Sequence, residues 1–126
     1  MKILIVEDEP DLRFLLTRFL EREHYTVSTA TNGLEGFEII KTWAPDLVIS
    51  DIQMPLGNGY MLLSHMQSLP APPIPVVFIS GYAREEALEL ANAPNLKGFL
   101  AKPFKPKELL TLISSILKSS STPISV

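Results

Sequence analysis

Five short apolar segments alternate along the chain with longer stretches whose apolar residues recur at helical spacing. Lys2–Val6 (KILIV), Tyr25–Ala30 (YTVSTA), Asp46–Ser50 (DLVIS), Val76–Ile79 (VVFI) and Lys97–Ala101 (KGFLA) have the length of strands, and KILIV is rich in β-branched residues. KILIV is unbroken, which predicts a strand covered on both faces. Pro10 opens a first helix, where its missing N–H costs nothing, with Leu12, Leu15, Leu16, Phe19 and Leu20 as the apolar face. After a turn at Asn32-Gly33, Leu34, Phe37, Ile40 and Trp43 face inward from a second helix that Pro45 ends. Leu62, Leu63 and Met66 mark a third helix, and a fourth runs from about Arg84 to Ala91. A last helix starts at Pro106, with Leu109, Leu112, Ile113 and Ile116 as its core face.

Strand and helix thus alternate five times, which predicts an α/β fold. It is a doubly wound (βα)5 parallel sheet of five strands with right-handed crossovers and helices on both faces. Four prolines between positions 70 and 75 form a stiff connector rather than a domain linker, because a strand follows at once. From Lys118 the run KSSSTPISV loses its periodicity. The expected division is therefore one domain over 1–118 and a flexible tail or linker start over 119–126.

Composition narrows this picture only slightly. At 126 residues and 46% hydrophobic, the chain can bury one core without staples, and its lack of cysteine excludes disulfide and thiolate chemistry. No apolar run approaches the roughly 20 residues of a membrane span, and the first residues are too short for a signal peptide. A cytoplasmic location with no membrane insertion is the expectation. A net charge of −3 argues against direct nucleic-acid binding. Its distribution says more: residues 1–51 hold ten acids against five bases, and residues 52–126 four against six.

In an open parallel sheet, the loops after the carboxyl ends of the strands converge on one edge, where ligands bind. Strand one is followed by Glu7, Asp8 and Glu9, strand three by Asp51 with Gln53 close behind, strand four by Ser80, and strand five by Lys102. Carboxylates from two strands repel unless a counter-ion joins them. A hard divalent cation such as Mg²⁺ takes one or two carboxylates, a backbone carbonyl and waters, leaving room for phosphate oxygens. Lys102 brings a mobile positive charge, and the Ser80 hydroxyl can donate to an oxyanion. Asp51 then reads as a carboxylate nucleophile that accepts a phosphoryl group. Glu9 and Asp11 are explained by the helix dipole alone.

The chain resembles the receiver domain of two-component response regulators, through ILIVEDEPDLR at 3–13, PDLVISDIQMP at 45–55, VVFISGYA at 76–83 and KGFLAKPF at 97–104. The resemblance spans residues 1–118 and implies a flavodoxin-like fold with strand order 2-1-3-4-5. It implies that Asp51 is phosphorylated by a sensor histidine kinase or phosphotransfer protein. Asp8 and Asp51 would then bind Mg²⁺ (or Mn²⁺) through carboxylates, Gln53 through its backbone carbonyl, and Glu7 largely through water. Ser80 and Lys102 would engage the phosphoryl group. Phe99 falls at the switch position, where many members carry tyrosine, and Gly81 stands where alanine is frequent. Inward rotation of Phe99 would alter the surface of the fourth helix, fifth strand and fifth helix for an output domain, a partner or a phosphorylation-dependent dimer. No turnover of a separate substrate is expected.

Three other readings fare worse on these residues. An Asp-nucleophile phosphohydrolase of the haloacid-dehalogenase type needs a second Asp where Gln53 stands, and a cap this length cannot supply. A flavodoxin-type flavin carrier needs a Ser/Thr/Gly-rich loop where Glu7-Asp8-Glu9-Pro10 would repel phosphate. A degenerate receiver serving only as an interaction module would not keep the complete set of acids, hydroxyl and lysine.

Overall fold

The computed structural model describes residues 1–70, 73–81 and 93–121, with side chains of the last helix described as far as Lys118. The elements run β1 (Lys2–Val6), α1 (Pro10–Arg22), β2 (Thr26–Ala30), α2 (Gly33–Trp43), β3 (Leu47–Asp51), α3 (Gly59–Met66), β4 (Val76–Ser80), β5 (Leu96–Ala101) and α4 (Pro106–Ser121). The helix predicted over about 84–91 lies outside the described residues, as does the tail from 122. All pairings are parallel, and the sheet order is β2-β1-β3-β4-β5. This is the doubly wound α/β architecture expected from the strand–helix alternation, with the flavodoxin-like strand order that the receiver-domain resemblance implies.

Burial follows the sequence pattern. The central strands β1, β3 and β4 are the unbroken apolar runs, and they are buried almost end to end. The edge strands β2 and β5 are only partly covered, in keeping with their more polar sequences. Strand residues alternate between two cores. Leu4, Val6, Val48, Val76 and Phe78 pack with Leu62, Leu63 and Met66 of α3 and Ile40 of α2. Ile3, Ile5, Leu47, Ile49, Val77 and Ile79 face the other way, against Leu16 and Leu20 of α1 and Leu109, Ile113 and Leu117 of α4. The sheet is therefore clamped between α2–α3 and α1–α4, which leaves its carboxyl edge as the place where chemistry can be displayed.

Local departures from the expected pattern have plain causes. Leu15 is 57% exposed, because it sits about 100° round the helix from Leu16, beyond the arc between Phe19 and Leu20. Leu34 is 52% exposed because the inner face of α2 is set by Gly33, Gly36 and Ile40 instead. A Cβ on Gly36 would stand 3.0 Å from a Val6 methyl, so glycine lets α2 lie close on β1. Hydropathy does not register that demand. Asn32-Gly33 is the start of α2 rather than a free turn: Asn32 Oδ1 accepts the Glu35 N–H (2.9 Å), and Glu35 Oε1 accepts the Thr31 N–H (2.7 Å). Such a cap contributes about 1 kcal/mol. The last helix continues to Ser121 although the apolar spacing stops near Lys118. Its packed turns carry the serines along, since adding a turn to a helix is far easier than starting one.

Candidate functional site

The sheet order changes direction between β1 and β3: the chain leaves β1 toward β2 on one side and returns to β3 on the other. A crevice opens at that point, beyond the carboxyl ends of the strands. The register places Val6 beside Ser50, so the next residues, Glu7 and Asp51, come out side by side. Asp51 in turn lies beside Ile79, and Ser80 beside Ala101. The strand ends thus deliver Glu7, Asp51, Ser80 and Lys102 to one edge in order.

Glu7 is fully buried, Asp51 is 7% exposed and Asp8 is exposed. One oxygen from each of these three carboxylates lies within 4.8 Å of the others. The single ammonium among them is Lys102, whose Nζ donates to Asp51 Oδ2 (2.9 Å) and Glu7 Oε1 (3.1 Å). The second Glu7 oxygen accepts the Glu9 N–H at 3.0 Å. Burial pushes the Glu7 carboxyl up to about 7, and the neighbouring Asp51 charge adds to this, against the opposing pull of the Glu9 N–H and Lys102. For Lys102, burial works to lower the pKa, yet its bonds to Asp51 and Glu7 outweigh that and hold it above the ordinary lysine value. Lys102 is a fixed cation here.

Main-chain contacts hold the loops that carry these groups. The Lys102 N–H donates to the Ser80 carbonyl (2.8 Å), tying the end of β5 to the end of β4. Arg13 reaches back from α1 so that Nη1 donates to the Glu7 carbonyl (2.8 Å) and stands 3.5 Å from the Asp8 carbonyl. Ser50 Oγ donates to the Asp51 carbonyl at 2.8 Å. At Gly59, a Cβ would meet that same carbonyl at 2.7 Å, so only glycine lets α3 start this close to the Asp51 backbone. Asn58 caps α3 by accepting the Met61 N–H (2.9 Å).

Chemically, this is a hard-oxygen site with surplus negative charge. Among the described residues, three carboxylates face one ammonium, with no thiolate or imidazole among them, a donor set suited to Mg²⁺ or Mn²⁺ rather than to zinc or copper. The family model described as the response regulator receiver domain matches residues 3–114. The chain belongs to the response regulator receiver domain family. It is 36% identical over 114 residues to an uncharacterised 14.6 kDa protein of Leptolyngbya boryana, covering 90% of this chain and 87% of that one. It is 31% identical over 116 residues to the chemotaxis protein CheY of Halobacterium salinarum, covering 92% and 96%. A CheY-like receiver domain protein from Methanospirillum hungatei JF-1 superposes with a TM-score of 0.86 at 30% identity, covering 94% of each chain. Against several other relatives, the chain spans about half of their length.

Within this receiver domain, Glu7, Asp8, Asp51 and Lys102 form one contiguous cluster. Ser80 is buried at the end of β4, one residue beyond the strand position beside Asp51. Gln53 is exposed in the loop that leaves β3. Phe99 is half-buried on β5 next to Phe78 and packs against the core on the α2–α3 side. Arg13 is the residue that sequence reading passed over. An arginine four positions after Glu9 on an amphipathic helix looks like a solvated charge, and nothing in the pattern shows it turning back to the loop.

Proposed function

We propose that this receiver domain is a phospho-accepting signalling switch, with Asp51 as the acceptor. The observation that carries the reading is the Asp51 carboxylate itself. It is nearly buried at the sheet's topological switch point, bonded to Lys102 and flanked by two further acids. Similarity to CheY and to part of the sensor kinase CckA of Brucella abortus supports placing it in a phosphorelay. The donor is the phosphohistidine of a sensor histidine kinase or phosphotransfer protein. A carboxylate oxygen of Asp51 forms the new P–O bond as the P–N bond breaks, and its electron pair returns to the imidazole nitrogen.

Mg²⁺, when bound by the carboxylates of Asp8 and Asp51 and the Gln53 carbonyl, with Glu7 acting through water, supplies charge neutralisation for the acceptor and the phosphoryl oxygens. The chain's own groups do the rest. Lys102 keeps its proton and moves from the free carboxylate to the phosphoryl group, while Ser80 donates to a phosphoryl oxygen. The half-buried Phe99 rotates inward, which changes the surface around the predicted fourth helix, β5 and α4 for an output domain, a partner protein or a second copy. Direct contact with nucleic acid is not part of this role, and among the described residues no helix is long and apolar enough to cross a membrane.

The test is incubation with acetyl phosphate and Mg²⁺, read by intact mass. One phosphoryl group is added to the wild-type protein, and none without Mg²⁺ or in Asp51→Asn. Labelling that persists in Asp51→Asn sinks the assignment, and rapid turnover of free phosphomonoesters favours a hydrolase instead.

A further inference from the structure

We infer that Arg13 is a positioning residue that aims the Asp8 carboxylate by gripping the peptide in front of it. The inference rests on the cation-dependent reading above and concerns how the chain prepares the site before any cation arrives.

The three acids are not held alike. Glu7 is anchored by Lys102 and by the Glu9 N–H, and Asp51 is anchored by Lys102. Among the described residues, the Asp8 side chain has no ion pair and no hydrogen bond, and it is exposed. Its direction is therefore set by its backbone. That backbone is fixed on one side by the Arg13 guanidinium, bonded to the Glu7 carbonyl at 2.8 Å and 3.5 Å from the Asp8 carbonyl. The Glu7 carbonyl bond fixes the plane of the Glu7–Asp8 peptide, and the Glu9 N–H bond to Glu7 Oε2 holds the Asp8–Glu9 peptide, so the backbone angles of Asp8 and its Cα–Cβ direction are set between two held planes.

The choice of partner is informative. Glu7, Asp8, Glu9 and Asp11 offer four nearby carboxylates, yet the guanidinium forms an ion pair with none of them among the described residues. It takes a neutral carbonyl instead, which leaves the carboxylates to face the crevice. Arg13 is itself held at the start of α1, where its N–H bonds the Glu9 carbonyl (3.0 Å) and its carbonyl accepts the Thr17 hydroxyl (2.7 Å). Helix and loop are locked together through one side chain. Supporting contacts of this kind typically change metal affinity 10–100-fold when removed.

The sign of the effect separates positioning from simple charge. Removing a cation beside a cation site strengthens Mg²⁺ binding if Arg13 acts only through its field. Loss of aim weakens it. The experiment titrates Mg²⁺ into the unphosphorylated 126-residue protein by calorimetry and by amide chemical shifts. It compares wild type with Arg13→Ala, Arg13→Gln, Arg13→Lys and the control Arg18→Ala, whose guanidinium stacks on Phe14 instead. Arg13→Ala should bind Mg²⁺ about tenfold more weakly, and Arg13→Gln and Arg13→Lys, which keep a donor, should recover most of the loss. Arg18→Ala should match wild type. The acetyl phosphate rate of Arg13→Ala at saturating Mg²⁺ should return toward the wild-type value. If the alanine protein does not unfold cooperatively, Arg13→Met carries the same comparison, since it keeps an aliphatic stem and no donor, with unchanged or tighter Mg²⁺ binding counting against the idea. Equal or tighter binding by a folded Arg13→Ala overturns the inference alone. A wild-type protein that binds no Mg²⁺ overturns the functional reading, and this inference with it.

Discussion

β1 and β3 carry charged groups at both ends, and the two ends handle them in opposite ways. At the amino end, Asp46 accepts the main-chain N–H of Lys2 (2.7 Å) and returns its own N–H to the Lys2 carbonyl (2.7 Å). The Lys2 ammonium donates to the Trp43 carbonyl and lies 5.1 Å from the centre of the Trp43 ring. Each charge there meets a neutral partner, and the arrangement is closed. At the carboxyl end, Glu7 and Asp51 share Lys102 while Asp8 stands beside them unpaired among the described residues, and burial, with the Asp51 charge adding to it, drives Glu7 up to about 7. The same two strands thus build a saturated bracket at one end and a charge deficit at the other. A deficit is a poor stabiliser, but it is what a cation and a phosphoryl group can fill.

Removing Lys102 breaks the comparison most severely, since among the described residues it is the cation that pairs with the buried acids of the carboxyl end. Lys102→Ala should slow phosphorylation from acetyl phosphate by about 10²-fold or more, the usual cost of losing a group aimed at developing charge. Cooperative unfolding should persist, because the two cores are untouched. Mg²⁺ should bind more tightly, because the competing ammonium is gone. Wild-type rates of phosphoryl uptake in this variant would remove Lys102 from the site.

Protonation probes the same deficit from the other direction. Glu7 titrates at about 7 in the folded protein against 4.5 for an unperturbed carboxyl, so between those values the folded chain holds the extra proton. Stability from this group is complete below 4.5 and is lost as pH rises through about 7. Relative to Glu7→Gln, the wild-type protein in EDTA should lose on the order of 2–3 kcal/mol between those limits. Urea unfolding at several pH values measures it. Excess Mg²⁺ should flatten the difference, because a cation favours the ionised form. A difference curve independent of pH would show that Glu7 is not strained.

The two ends were not equally legible in the sequence. The carboxyl end could be read because each central strand is an apolar run that ends in polar residues, Glu7 after β1, Ser50-Asp51 at the end of β3 and Ser80 at the end of β4, so the strand ends and the site residues lie together. Strand order then brings them together by topology alone. The amino-end bracket was not legible, since Lys2 bonds through its main-chain N–H and through a carbonyl of Trp43, and hydropathy carries no trace of either. Arg13 escaped for the same reason, its acceptor being a carbonyl fixed by the path of the loop. Leu15 and Leu34 show the limit of helical spacing: it finds an apolar arc but not its edges, and it misses a face made of glycine.

A gentler change sharpens the contrast. Asp51→Asn removes one surplus charge without removing Lys102, which keeps Glu7. In EDTA this variant should be more stable than wild type by about 0.5–2 kcal/mol, while it accepts no phosphoryl group. The stabilisation should shrink in Mg²⁺, which the wild-type site binds and the variant binds less. Destabilisation by Asp51→Asn in EDTA would mean that the carboxyl end is balanced, and the comparison would fail.

The amino end supplies the smallest effect and the opposite sign. Asp46→Ala leaves the Lys2 N–H without its acceptor at a half-buried position, and no surplus charge is relieved in exchange. The cost should be about 1 kcal/mol, seen as a lower urea midpoint with an unchanged slope. Mg²⁺ affinity and phosphorylation should stay at wild-type values, because the bracket lies a full strand length from Asp51 and touches none of the loops that hold the acids. Two aspartates flanking one strand would then answer to neutralisation in opposite directions, Asp51 by stabilising the cation-free protein and Asp46 by weakening it. If Asp46→Ala instead changed Mg²⁺ affinity, β3 would be transmitting strain from one end to the other, and the two ends could not be treated as separate designs.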